Sequence, residues 1–196
     1  PFFFVENFIR SYQAGDTGFC DEIVEWYKAN KKTMGKPGLT ADADGNVGIC
    51  KEAKDSVDIQ LSIEKAYTYG CLTKGLEHLW NSVINYVTVQ FPVLADSNFH
   101  MPENLAVQGY EPGGGFHMEH CERLCNLTQS RMLVWMLYLN TVEDEGGTRF
   151  VHYDHVEKAE KGKLLIWPPD FTHIHHGVAS PSEEKFIMTG WYNWNN

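Results

Sequence analysis

From Asn104 to the end of the chain, short apolar runs alternate with turn residues. The runs are Leu105–Tyr110, 131–140, 147–152, 162–167 and 186–194, and they are separated by Pro112-Gly113-Gly114-Gly115, Gly146-Gly147 and Pro168-Pro169. Several short strands at such spacing predict an all-β sandwich or barrel. The upstream sequence has a different texture. Phe19, Cys20, Ile23, Val24 and Tyr27 recur at helical spacing. A longer helix is expected over about 66–90, with Leu72, Leu76, Leu79, Val83, Ile84 and Val87 on one face and Pro92 after it. Val57, Ile59 and Leu61 alternate with polar residues and predict a strand. The expected fold is therefore mainly β with flanking α-helices, in a single domain over 1–196. Residues from about 1 to 103 would supply a helical buttress and a loop, and about 104–196 the β core.

Charge and composition narrow the function. Sixteen Lys and Arg against 26 Asp and Glu give a net charge of −10, which repels phosphate backbones and argues against nucleic acid as a partner. A macromolecular partner, if there is one, would be neutral or basic. The five cysteines (Cys20, Cys50, Cys71, Cys121, Cys125) cannot pair completely and show no repeating spacing, so free thiols in a reducing compartment, the cytoplasm, are expected. No apolar run approaches the roughly 18 residues of a membrane span. Nucleophile-elbow, Walker and dinucleotide motifs are missing, and Gly113-Gly114-Gly115 leads into a strand rather than a helix.

Chemistry-bearing residues concentrate late in the chain. Seven of the nine histidines fall between His117 and His176, and two clusters stand out, 116–122 and 171–177. On a strand, which is expected here, His120 and Glu122 point to the same face. His175 lies far enough along for the chain to return beside them. Two histidines and one carboxylate on one face leave coordination positions open, as in non-haem Fe(II) oxygenases.

The surrounding string is more specific than the pair alone. Tyr110-x-Pro112-Gly113 and Phe116 precede it. Tyr138-Leu139-Asn140, Gly146-Gly147-Thr148-Arg149-Phe150 and Gly162-Lys163-Leu164-Leu165-Ile166-Trp167-Pro168 follow, then His175, Lys185 and Trp191. This order resembles the Fe(II)- and 2-oxoglutarate-dependent dioxygenases in their prolyl 4-hydroxylase-like branch, phage and marine bacterial members in particular. The resemblance implies a double-stranded β-helix, a cupin-like jelly-roll. It implies Fe(II), 2-oxoglutarate and O2 as cofactors, with ascorbate as a candidate reductant. His120, Glu122 and His175 would bind the metal. Lys185 would pair with the distal carboxylate of 2-oxoglutarate, and Tyr138 would hydrogen-bond it. Tyr110 would line the pocket near the metal, and Trp191 would wall the substrate entrance. Glu122 departs from the aspartate usual in the family and is one methylene longer. The activity implied is hydroxylation of a C–H bond with release of succinate and CO2, on a prolyl residue of a peptide or protein. A phage-encoded or bacterial protein would act in the bacterial cytoplasm.

Other readings are weighed against these. A free amino acid could be the substrate instead, or the chain could be a non-catalytic cupin-like metal-binding protein. A lysine nine rather than ten residues after the distal histidine would select His176. His117 and Glu119 form a rival pair. His117, His120, Cys121 and Cys125 offer zinc donors, but adjacent His120 and Cys121 diverge on a strand. Asp42, Asp44 and Asn46 lack the glycine and acid of a calcium loop. The polar stretch 36–54 is a candidate lid over an extended peptide.

Overall fold

A computed structural model describes residues 6–41 and 44–195. Its strands are β1 (Arg10–Gln13), β2 (Lys36–Pro37), β3 (Thr40–Ala41), β4 (Val47–Gly48), β5 (Val57–Leu61), β6 (Phe99–His100), β7 (Leu105–Tyr110), β8 (Arg131–Tyr138), β9 (Thr148–Phe150), β10 (His155–Glu157), β11 (Lys163–Trp167), β12 (His175–Gly177) and β13 (Lys185–Trp194). The helices are α1 (Gly18–Met34), α2 (Ile63–Ala66) and α3 (Gly70–Asn85).

A large antiparallel sheet runs β1-β11-β8-β13-β7-β5-β2, with β6 on the end of β13, and a small sheet runs β10-β9-β12. Both faces of the large sheet are covered, which explains why β8 is apolar almost throughout instead of alternating. Leu133, Trp135 and Leu137 of β8 pack with Ile23 and Tyr27 of α1 and Leu72, Leu76 and Leu79 of α3. Val134, Met136 and Tyr138 face the other way, into a second core with Trp167 and with Phe150 of the small sheet. The two sheets and the core between them form a double-stranded β-helix, and the site lies on this inner side.

Helix α1 docks closely on the large sheet because β7 carries a glycine there. A Cβ at Gly109 would lie 2.5 Å from the Tyr27 hydroxyl, and that hydroxyl donates to the Val57 carbonyl at 2.8 Å.

The expected long helix over 66–90 is broken. One turn, α2, is capped by the Ser62 side chain. The backbone becomes extended at Tyr69 before α3 begins at Gly70. A π turn at Tyr86–Gln90 then closes on Phe91 ahead of Pro92. Ile84, expected on the buried face, is 41% exposed, because one step beyond Val83 turns it about 100° away from the core. The N-terminal part also gives β1, β2, β5 and β6 to the large sheet, so it supplies more than helix and loop. Among the described residues no helix is long and apolar enough to cross a membrane.

Candidate metal centre

The segment ahead of the site is turned by Gly113, whose φ of 82° is left-handed. Its amide donates to Ser180 O at 2.7 Å, and that of Gly114 to Glu111 O at 2.7 Å. The chain then runs extended beside β12. The expected strand through His120 and Glu122 is reduced to an isolated bridge, His120 with His175. Their amides and carbonyls exchange bonds of 3.0 and 2.9 Å, and the Glu122 amide donates to Pro169 O at 3.0 Å. Few backbone bonds form because proline and short 3-10 turns interrupt the facing chain, yet the extended path keeps His120 and Glu122 on one side.

Three donors converge there. His120 Nε2 lies 3.3 Å and His175 Nε2 3.5 Å from Glu122 Oε1, and all three donor atoms fall within 4.8 Å of one another. Each imidazole has its other nitrogen committed. His120 Nδ1 is 2.8 Å from Met118 O, and His175 Nδ1 is 2.9 Å from His173 O. A carbonyl only accepts, so both Nδ1 atoms carry protons and both Nε2 lone pairs face the carboxylate oxygen. Lone pairs at such distances repel unless a cation lies between them, so the donor set fits a divalent metal. Burial pushes the Glu122 carboxyl up, but when the imidazoles carry protons on Nε2 as well, their hydrogen bonds and charge outweigh it and hold it well below the usual range. Burial, reinforced by His120, lowers His175. The Phe116 ring stacks on His120 at 3.7 Å, and Trp167 meets His175 edge-on at 5.1 Å.

The competing donors stay apart from this cluster. His176 is half-buried on the other side of β12, and His117 and Glu119 are exposed. His173 points to Asn7 O at 2.8 Å. Cys121 Sγ lies 3.8 Å from Arg123 O, and Cys125 Sγ is beside Thr128. Among the described residues, His120, Glu122 and His175 form the one group of three suited to a metal. Asp42, part of the calcium pattern, lies outside the described residues.

Lys185 opens β13 with its side chain on the inner face, paired in register with Tyr110. It is 4% exposed. Its ammonium donates to Val178 O at 3.1 Å and sits 5.0 Å from the centre of the Tyr110 ring. Among the described residues no carboxylate forms an ion pair with it, and burial lowers it to about 8. A buried ammonium beside one carbonyl fits an anionic cosubstrate. The Tyr138 hydroxyl lies 2.6 Å from Thr148 Oγ1. Tyr110 donates to Gln108 Oε1 at 2.7 Å. Trp191 Nε1 donates to Glu122 Oε2 at 3.1 Å.

Sequence reasoning missed the buried polar network behind Tyr110. Gln108 Nε2 donates to Asp58 Oδ2 at 3.1 Å, Lys54 Nζ to the same oxygen at 2.7 Å, and Ser56 Oγ to Asp58 Oδ1 at 2.7 Å. Part of the signal was available: Gln108 interrupts the apolar run of β7, whereas Asp58 reads as one of the polar residues that alternate along β5. The network ties the 36–54 segment to the site, since the Lys54 backbone bridges Phe116 and the His117 amide donates to Ala53 O at 2.8 Å. Asp58→Ala would leave the Lys54 charge buried and unpaired. It should cost about 3–5 kcal/mol of stability, read as a lower urea midpoint at unchanged slope.

A double-stranded β-helix with two histidines and a carboxylate on its inner side is the architecture of a non-haem iron oxygenase. The family model of the 2OG-Fe(II) oxygenase superfamily matches residues 105–193, the span that carries these residues. The family's cofactors are Fe(II), 2-oxoglutarate and O2. Among solved structures, a Pseudomonas putida prolyl-4-hydroxylase is 15% identical, covering 97% of this chain and 94% of its own, with a TM-score of 0.71. A viral collagen prolyl hydroxylase from Paramecium Bursaria Chlorella virus-1, solved with 2OG, is 16% identical, with coverages of 96% and 97% and a TM-score of 0.66. A Trichoplax adhaerens prolyl hydroxylase bound to a hypoxia inducible factor peptide is 16% identical, with coverages of 95% and 84% and a TM-score of 0.72. At these identities the likeness establishes a prolyl-hydroxylase-like fold. No curated protein matches the sequence.

Proposed function

We propose that the chain hydroxylates a C–H bond of a prolyl residue in a peptide or protein, with release of succinate and CO2. The observation that carries the proposal is the convergence of His120, Glu122 and His175 on the side of the jelly-roll where Lys185 is buried with no carboxylate partner among the described residues. In this reading the three residues hold Fe(II), and Lys185 takes the distal carboxylate of 2-oxoglutarate. Tyr138, on the strand beside β13, adds a hydroxyl to that end. When bound, Fe(II) with 2-oxoglutarate and O2 supplies the oxidising power, and that chemistry belongs to the cofactors. The chain's part is placement. The Nδ1–H bonds fix both imidazoles, Phe116 and Trp167 shield them from water, and Tyr110 and Trp191 wall the space beside them.

The substrate class rests on the relatives and on the 36–54 segment. The structural neighbours are named as prolyl hydroxylases, and one was solved with a peptide fragment. In this chain β3 and β4 form a hairpin, Val47 in it and Ile49 beside it are exposed, and the chain that follows it is stitched to the segment bearing Phe116 and His117. That gives an apolar cover for an extended peptide. Residues 104–196 are then the catalytic core, and the rest is buttress and lid. The five cysteines are free, and cytoplasmic residence is part of the same proposal. Iron-dependent succinate release tests the reading. Proline-containing peptides should stimulate it well above free proline and other free amino acids. Equal stimulation by a free amino acid would move the substrate to the small-molecule class. Metal binding without succinate release under any of them would leave a binding protein.

A further inference from the structure

Glu122 has one more rotatable bond than an aspartate, so presenting a single oxygen to a metal requires an external hold. The structure has one on the side away from the histidines. While Oε1 faces His120 and His175, Oε2 accepts from Trp191 Nε1 at 3.1 Å and from Arg131 Nη1 at 3.3 Å. Arg131 Nη1 also donates to the Glu122 main-chain carbonyl at 2.9 Å. The guanidinium is itself fixed from two directions. Glu103 grips it in a fork, Nε to Oε1 at 3.0 Å and Nη2 to Oε2 at 2.6 Å, and it lies 3.7 Å from the centre of the Trp191 ring. Asn193 Nδ2 donates to Glu103 Oε1 at 3.0 Å and so holds the fork. The Arg131 and Glu122 side chains are only 12% and 14% exposed.

We propose that Arg131, clamped between Glu103 and Trp191, is a positioning residue that holds Glu122 as a one-oxygen metal ligand. It keeps Oε2 occupied, so the longer carboxylate cannot swing or chelate with both oxygens and fill a coordination position. This rests on the proposed role of Glu122 as a ligand. The sign of the effect separates positioning from electrostatics. A positive charge beside a cation site repels the cation. If Arg131 acted through its charge alone, removing it would tighten metal binding. If it positions Glu122, removing it loosens binding, by on the order of 10–100-fold as for other residues that orient a ligand.

The test is calorimetric titration of the full chain with Mn(II) alone, so no turnover is needed. Arg131→Met should weaken binding in that range. Arg131→Lys should not restore it, since an ammonium cannot form the planar fork. Glu103→Gln, which loosens Arg131 without touching Glu122, should weaken binding in the same direction by less. It carries the test if Arg131→Met does not fold. Unchanged or tighter binding in these variants, with binding lost in Glu122→Ala, overturns the positioning role. Unchanged binding in Glu122→Ala instead overturns the ligand assignment beneath it.

Discussion

His175→Ala is expected to abolish Mn(II) binding and iron-dependent succinate release together, while His176→Ala leaves both close to the parent chain. The two histidines are adjacent, but their surroundings differ. His175 is 5% exposed. Its Nε2 lies 3.5 Å from Glu122 Oε1, and its Nδ1 is held by His173 O. Phe150 and Trp167 pack against its ring. Alanine there removes one of three donors from a site with few substitutes nearby. It also leaves Glu122 buried with one partner fewer, so metal affinity falls with no compensating ligand. His176 is half-buried and stands opposite Arg149 in the small sheet. Its loss takes nothing from the donor set. The opposite pattern, an active His175→Ala and an inactive His176→Ala, would shift the ligand by one residue. Circular dichroism of the metal-free variants would show that neither loss reflects unfolding.

The β core was legible because Gly and Pro clusters bound its apolar runs and because both faces of the large sheet are dry. The histidine and glutamate positions were legible for a related reason. They sit in a short ordered string of turn residues and aromatics that carries its own spacing. What the sequence hid depends on distant pairing. β1, β2 and β6 are two to four residues long and have no periodicity to read; they exist because a partner strand offers free backbone groups. The break between α2 and α3 was masked by a helical apolar pattern that continues across Tyr69, and local capping decides it. The expected strand around His120 was overcalled because the i, i+2 geometry needs only an extended chain, not a ladder.

The hold on Glu122 was hidden for the same reason. Glu103, Glu122, Arg131, Trp191 and Asn193 come from four separate segments. Their meeting requires the β8–β13 register together with its irregularity between Tyr192 and Asn193. A bulge re-aims the side chain that follows it. Here that side chain is Asn193, which reaches Glu103 and Ser130. No pattern within one strand predicts that contact.

Lys185→Ala is expected to raise the 2-oxoglutarate concentration needed for half-saturation by on the order of 30-fold to several thousand-fold. Truncating one partner of a buried, hydrogen-bonded charge pair costs about 2–5 kcal/mol, and each 1.4 kcal/mol is roughly tenfold. The unmutated chain adds a pH test of the same assignment. Burial lowers the Lys185 amine to about 8, against about 10.4 for a free lysine side chain. Between those values the folded chain has released a proton that the unfolded chain still holds. The penalty for the buried charge is therefore present in full below about pH 8, and the contribution of this group to stability rises with pH up to about 10.4. Cosubstrate binding runs the other way, because a dicarboxylate needs the ammonium. Affinity for 2-oxoglutarate should be full below pH 8 and fall as the pH rises through it, and bound 2-oxoglutarate should move the midpoint upward. Lys185→Arg keeps the charge at every accessible pH, so whatever affinity it retains should lose that fall. Calorimetry with Mn(II) in place of iron, between pH 7 and about 9.5, reads each of these directly. A parent chain whose affinity ignores pH in this window, together with an unimpaired Lys185→Ala, would place the carboxylate anchor elsewhere on the inner face.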